Sequence, residues 1–289
     1  MLSAWRLERA LRDGVVSPPV FAPLTLNCGT KVWQAVCRPL NDDHQDPKRF
    51  FLYSGSGGSG TDISKVVAAR KAICEVLERL TYFSTRSDPD QRAKYCFNQD
   101  DSTNGMAAFP ELFCNTVRKK AFCESVERWA IKAWWLGLLR SESLELGKGV
   151  SGLRIETPHK VFVVVLWGGD DLRAYGFAAD IDLERAVFRA QVELSRNAIV
   201  LKNWNGQPLP ADAPLIERRL VFFSQSAGKA LFDKRVDFGS KSRSVARFPA
   251  IAFNGEIRGE YSKYVKIWRT VFKEDKHWQD SKSLDYFHF

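Results

Sequence analysis

One stretch of this chain occurs twice. Ala72-Ile73-Cys74-Glu75-Val76-Leu77-Glu78-Arg79 returns as Ala121-Phe122-Cys123-Glu124-Ser125-Val126-Glu127-Arg128, and a lysine precedes each copy (Lys71, Lys120). Internal repetition is the feature that most restricts what such a chain can fold into. Residues three and four apart share a helical face. Glu75, Glu78 and Arg79 therefore project together with Lys71 beside them, while Val66, Ile73, Leu77 and Leu80 make an apolar stripe on the other side. In the second copy Glu124, Glu127 and Arg128 project together, and Phe122, Val126, Trp129 and Ala133 face the core. The spacing predicts one helix over about residues 63–83, capped by Thr61 or Asp62, and another from about 117 through Trp134-Trp135.

A third helix over about 183–201, capped by Asp182, places Ala186, Arg189, Glu193 and Arg196 on one face. Leu183, Val187, Ala190, Leu194 and Leu201 lie on the other. A short helix at 5–11 ends at Gly14. Strands are expected at 31–36, 49–53 and 219–224, with a hairpin at 159–167 and 172–177. Residues 84–104 read as polar and turn-rich, and the last 65 or so show no strong periodic pattern. The alternation of elements implies an α+β fold, helices packed on a mixed sheet, in one domain spanning 1–289 with its core at about 50–200.

Composition narrows the class. At 45% hydrophobic and 27% charged the chain is globular in balance. No apolar run reaches the roughly 18 residues a membrane helix needs, and the N-terminus lacks a signal-peptide pattern, so a soluble, cytoplasmic protein is expected. The six cysteines form no CxxC pair, which gives zinc little support; Cys74 and Cys123 read as small buried hydrophobes. A net charge of +9 suits a phosphate-bearing or acidic ligand, while nucleic-acid binding rests on charge alone.

Two glutamates three apart repel by about 0.2–0.5 kcal/mol on a solvated helix, and a divalent cation reverses that sign. Mg²⁺ takes one or two protein carboxylates alongside water and phosphate oxygens, and arginine suits phosphate. A single ExxER is an ordinary salt-bridged surface. Its repetition favours two such helices facing each other across more than one Mg²⁺ and a triphosphate.

With EVLER at 75–79, STNGMAA at 102–108, ESVERWAIKAWW at 124–135 and RAQVELSR at 189–196, the chain resembles the YcaO family over roughly residues 50–200. The resemblance implies an ATP site: Glu75, Glu78, Glu124 and Glu127 on Mg²⁺, Asn104 on the nucleotide, Arg79, Arg128 and Arg189 near the phosphates, and Glu193 completing the shell. It implies attack of a nucleophile on a peptide amide carbonyl, transfer of the γ-phosphoryl group of ATP to the oxyanion, and loss of phosphate. The product is an azoline, thioamide or amidine in a ribosomally synthesised precursor peptide. A separate leader-recognition or E1-like partner protein is also expected. The chain departs from the family in a shorter spacing between the two ExxER motifs, Lys71 in place of Ser, Arg196 in place of Gln, and an ending (SLDYFHF) that is not proline-rich.

Two other readings stay open. A YcaO-like scaffold or recognition subunit would keep the fold without turnover. Gly55, Gly57 and Gly60 match a GxGxxG dinucleotide loop, although residues 82–92 are too polar to supply the second parallel strand that this requires.

Overall fold

The computed structural model describes residues 2–40, 52, 57–97, 104–147, 149–169, 171–204, 206–241, 244, 247–273 and 283–287. In place of one mixed sheet, the strands form three separate sheets, and every described strand pair is antiparallel. The first sheet holds β1 (Val20–Thr25), β2 (Lys31–Cys37) and β3 (Gly58–Asp62). The second has the order β4 (Asn104–Phe109), β10 (Lys266–Phe272), β9 (Ile251–Glu256). The third runs β5 (Ser141–Leu144), β6 (Val150–Ile155), β7 (Phe162–Gly168), β8 (Ala174–Asp180).

One long helix packs on each sheet, and it follows directly from that sheet's outermost strand. β3 leads into α2 (Lys65–Ser87), β4 into α4 (Asn115–Trp135), and β8 into α5 (Leu183–Trp204). The sequence repeat is thus two copies of a threefold β–α unit. Small residues set the close approach. A Cβ on Gly58 would lie 2.3 Å from the Ala72 carbonyl oxygen, one on Gly105 2.1 Å from that of Ala121, and one on Gly176 2.2 Å from that of Ala190. The three alanines stand three residues before Glu75, Glu124 and Glu193 respectively. Each helix therefore presses on its strand at the same point, with no room for a side chain between them.

The units also touch in sequence: α2 packs on β4, and α4 on β8. Arg196 of α5 returns to Ser59 of β3 and closes the cycle. Around it lie an apolar cluster under α2, including Ile73, Leu77 and Leu80, and an aromatic one containing Trp129, Trp134, Phe223, Phe232 and Phe287. Burying each such large side chain contributes about 2–3 kcal/mol.

Several expectations change. Val66 is 72% exposed and leaves the apolar stripe of α2, which begins at Lys65. Thr61 and Asp62 lie in β3 and do not cap α2; Ser64 holds the cap position. Residues 219–224 are not a strand but the end of helix α6 (Leu215–Ser224), where Leu220 and Phe223 share a buried face behind Pro214. The polar stretch 84–104 contains helix α3 (Pro89–Lys94), whose first amides (Asp90, Gln91) donate to Asp88. Of the strand expected at 49–53 only Leu52 is among the described residues, its amide donating to Glu217 at 2.7 Å. Helix α1 (Leu2–Arg12) does end at Gly14, at φ +69°, with Gly14 N–H donating to the Leu11 carbonyl and Val15 N–H to that of Ala10. Asp182 caps α5 by accepting from the Arg185 amide at 3.2 Å. Helix α7 (Ser226–Lys241) and a 3₁₀ turn (Glu260–Lys263) complete the described elements.

Candidate functional site

The central glutamate of each unit does one job three times. Glu75 Oε2 accepts from the Ser59 amide (2.7 Å), Glu124 Oε2 from the Met106 amide (3.1 Å), and Glu193 Oε2 from the Phe177 amide (2.9 Å). In every case the donor follows the glycine that the helix presses on. An edge-strand amide that would otherwise go unpaired is tied to the helix by a charged acceptor. In the first two units the other oxygen is also engaged: Glu75 Oε1 accepts from Arg79 at 2.6 Å and Glu124 Oε1 from Arg128 at 2.7 Å. Arg79 donates as well to the Gly57 carbonyl.

The residue three places on reaches across to the next unit. Glu78 Oε2 accepts from the Ala108 amide of β4 at 3.0 Å. Burial, then the charges of Glu124 and Glu75, hold the Glu78 carboxyl well above the usual carboxylate range. Glu127 is pushed up to about 8, first by burial and then by Glu193. Glu193 is pushed up to about 7 by burial, against the pull of the Phe177 amide, Arg196, Arg189 and Arg128. At the third position of the cycle stands Arg196, donating to the Ser59 hydroxyl beside Glu75.

The cycle therefore has three seams. At the α2–β4 seam Glu78 meets Glu124, and at the α4–β8 seam Glu127 meets Glu193. At the α5–β3 seam a guanidinium takes the place of the second carboxylate. Among the described residues no three His, Cys, Asp or Glu side chains converge on one point. At the α4–β8 seam Glu127 and Glu193 are both under-neutralised, and at the α2–β4 seam Glu78 is, while its neighbour Glu124 is paired with Arg128. A small set of such carboxylates matches the protein share that Mg²⁺ requires when water and phosphate oxygens complete its shell. Glu78, Glu124, Glu127 and Glu193 are the residues suited to such an ion. Glu75 and Glu124 are each also paired with an arginine of their own helix.

The remaining predicted residues are less uniform. Arg189 donates to the Ala179 carbonyl (2.8 Å) and lies 3.7 Å from Asp180, at the outer end of its unit. Asn104 is buried, and its side-chain carbonyl accepts from Arg269 Nη1 at 3.3 Å. Arg269 is itself wholly buried, donates to the carbonyls of Tyr95 and Cys96, and lies over the Phe97 ring. It sits on β10, in the part of the chain whose pattern is unreadable, and no sequence signal marks it. Of the GxGxxG residues, Gly55 lies outside the described residues, while Gly60 belongs to an antiparallel edge strand, not to the strand-to-helix turn of a parallel sheet that the dinucleotide motif requires. The Ser59 amide in that strand is committed to Glu75. Cys74 and Cys123 are buried, their thiols pushed up to about 12 and about 11, first by burial. No described helix is long and apolar enough to cross a membrane.

This is an α+β protein of YcaO-like fold. The chain is similar to a solved structure of YcaO from Methanopyrus kandleri bound with AMPPCP and Mg²⁺, at a TM-score of 0.53 and 14% sequence identity, covering 94% of this chain and 90% of that one. No protein-family model and no curated protein matches the chain.

Proposed function

We propose that this chain binds ATP with Mg²⁺ between its three helices and uses it to activate a backbone amide of a ribosomally made peptide. The observation that carries the reading is the pair of seams at which carboxylates of neighbouring helices crowd together, so that burial and mutual repulsion raise Glu78, Glu127 and Glu193, in a fold shared with a protein bound with AMPPCP, an ATP analogue, and Mg²⁺. Mg²⁺ would supply charge neutralisation at the phosphates. The protein's own share is placement. Glu78, Glu124, Glu127 and Glu193 hold the metal, and Arg79, Arg128 and Arg189 supply positive charge around the phosphates. Arg269 fixes the amide of Asn104 at the start of β4. An amide oxygen leaves poorly until it is phosphorylated, so alignment of peptide and nucleotide supplies most of the remaining barrier reduction. A separate protein that recognises the precursor peptide belongs to this proposal.

The second reading is a non-catalytic scaffold. Two features favour it: both oxygens of Glu75 and of Glu124 are engaged within the protein, and Arg196 occupies the third seam. Phosphate release separates the two. With Mg²⁺, a precursor-type peptide and the partner protein present, the wild type should release phosphate from ATP and Glu127→Gln should not. Peptide and partner binding with no release by the wild type would leave the scaffold.

A further inference from the structure

The units also repeat at their outer ends, and there the middle one departs from the other two. Lys71 donates to the Thr61 carbonyl (2.9 Å) and pairs with Asp62 (2.9 Å). Arg189 makes the equivalent contacts with Ala179 and Asp180. The middle unit keeps the cation, Lys120, but has Phe109 where those aspartates stand, and the Lys120 ammonium lies 4.8 Å from the ring centroid. Arg70 of α2 lies over the same ring, at 5.9 Å. Arg118 of α4 lies 6.0 Å from the ring of Trp268 on the adjoining strand β10, and the Trp268 indole N–H donates to Asn254 at 2.7 Å. Asn254, Asn115, Arg118, Lys119, Phe122 and Ile251 line an open groove of about 460 Å³. Among the described residues Arg118 and Lys119, the two cations that line this groove, form no ion pair with a carboxylate within 4 Å.

This cluster is held against local preference. Helix α4 has no acidic residue in its first turn. Instead it gathers Arg118, Lys119 and Lys120 near the end where the helix macrodipole is already positive. Glu111 is the negative group there, and its carboxylate accepts from the Thr116 and Val117 amides at 3.0 and 2.8 Å. An arrangement that contradicts the preference of its own element points to function. Apolar side chains accompany the charge: Leu112 is 52% exposed, Phe113 75% and Ile251 45%.

We propose that this face binds an acidic, partly apolar peptide segment. Its carboxylates would answer Arg118 and Lys119 and its apolar side chains would cover Leu112, Phe113 and Ile251. A nucleic acid fits less well, because the two rings already carry the protein's own cations and the flanking surface is apolar. Equating the segment with part of the substrate rests on the amide-activation reading; the binding itself does not.

The test is fluorescence anisotropy of the full chain with a short labelled peptide of alternating Glu and Leu. Arg118→Glu with Lys119→Glu should weaken binding about tenfold or more. Arg118→Gln with Lys119→Gln should weaken it less, and Lys234→Glu on α7 should leave it unchanged. AMPPCP–Mg²⁺ binding by the reversed variant should equal that of the wild type. Peptide binding that survives the double reversal overturns the proposal, as does tighter binding of a single-stranded oligonucleotide with the same sensitivity. Joint loss of peptide and nucleotide binding also overturns it, because the face would then not act separately. If the wild type binds the peptide but no nucleotide, amide activation fails and this proposal stands.

Discussion

At the α2–β4 seam a glutamate crosses to the neighbouring unit; at the α5–β3 seam an arginine does. The backbone frame is the same at both, with a strand glycine, an alanine on the helix and a glutamate on the following strand amide. One changed residue replaces a carboxylate crowded against another by a guanidinium that donates to the Ser59 hydroxyl beside Glu75. The difference teaches that the frame and the charge are separable. Glycine and alanine set how closely helix and strand approach, and the glutamate secures that contact. The residue three places on decides whether an acid or a base crosses to the neighbouring unit.

The largest effect should come from breaking the frame. Gly105→Val or Gly176→Val would place side-chain atoms where backbone atoms already lie, 2.1 and 2.2 Å from a helix carbonyl oxygen. Such overpacking should cost about 3 kcal/mol or more in a denaturant melt, whereas Gly147→Ala, with open space around it, should cost almost nothing. Equal tolerance of both would undo the idea of a shared frame.

Charge comes next. Arg196→Glu should turn the third seam into a carboxylate pair, lower apo stability by about 1–3 kcal/mol and make the melting temperature more responsive to Mg²⁺ than the wild type's. A variant as stable as the wild type and as indifferent to Mg²⁺ would show that Arg196 neutralises nothing.

The open seams should also appear in the pH dependence. Glu127 near 8 and Glu193 near 7 lie above the ordinary 4.5, mainly through burial, so folding takes up protons. Their stabilising contribution is complete below about 4.5 and is lost as pH rises through 7 and 8. The slope is up to about 1.4 kcal/mol per pH unit for each group. Glu127→Gln should flatten the apo profile between about pH 4.5 and 8; an unchanged profile would place the proton elsewhere. The smallest effect belongs to the outer end of the first unit. Burial opposes ionisation of Asp62, but Lys71 and the Ser64 amide outweigh it and lower its pKa. The pair is partly exposed, so Asp62→Asn should cost under about 1 kcal/mol.

Two of the three units were legible in the sequence because ExxER survives in both. The third was visible only as a helix. Its Arg196 and Asn197 stand where Glu78 and Arg79 stand in the first unit, so only the Ala-x-x-Glu spacing and a strand glycine remain in common. β4 escaped because a buried edge strand rich in glycine and alanine, Asn104–Phe109, shows no alternation. Residues 219–224 look β-like by content, and only the turn before them, from Pro214, reveals the helix. The buried Arg269 is held by carbonyls brought together from distant segments, which no local pattern encodes.

The central claim is that the open seams together form one metal–nucleotide site. Calorimetric titration of the full chain with AMPPCP, with and without Mg²⁺, tests it directly. Wild-type binding should require Mg²⁺, and Glu78→Ala and Glu127→Ala, on different helices, should each abolish it while remaining folded. Binding that is absent from the wild type, or that persists in either variant, would contradict the account.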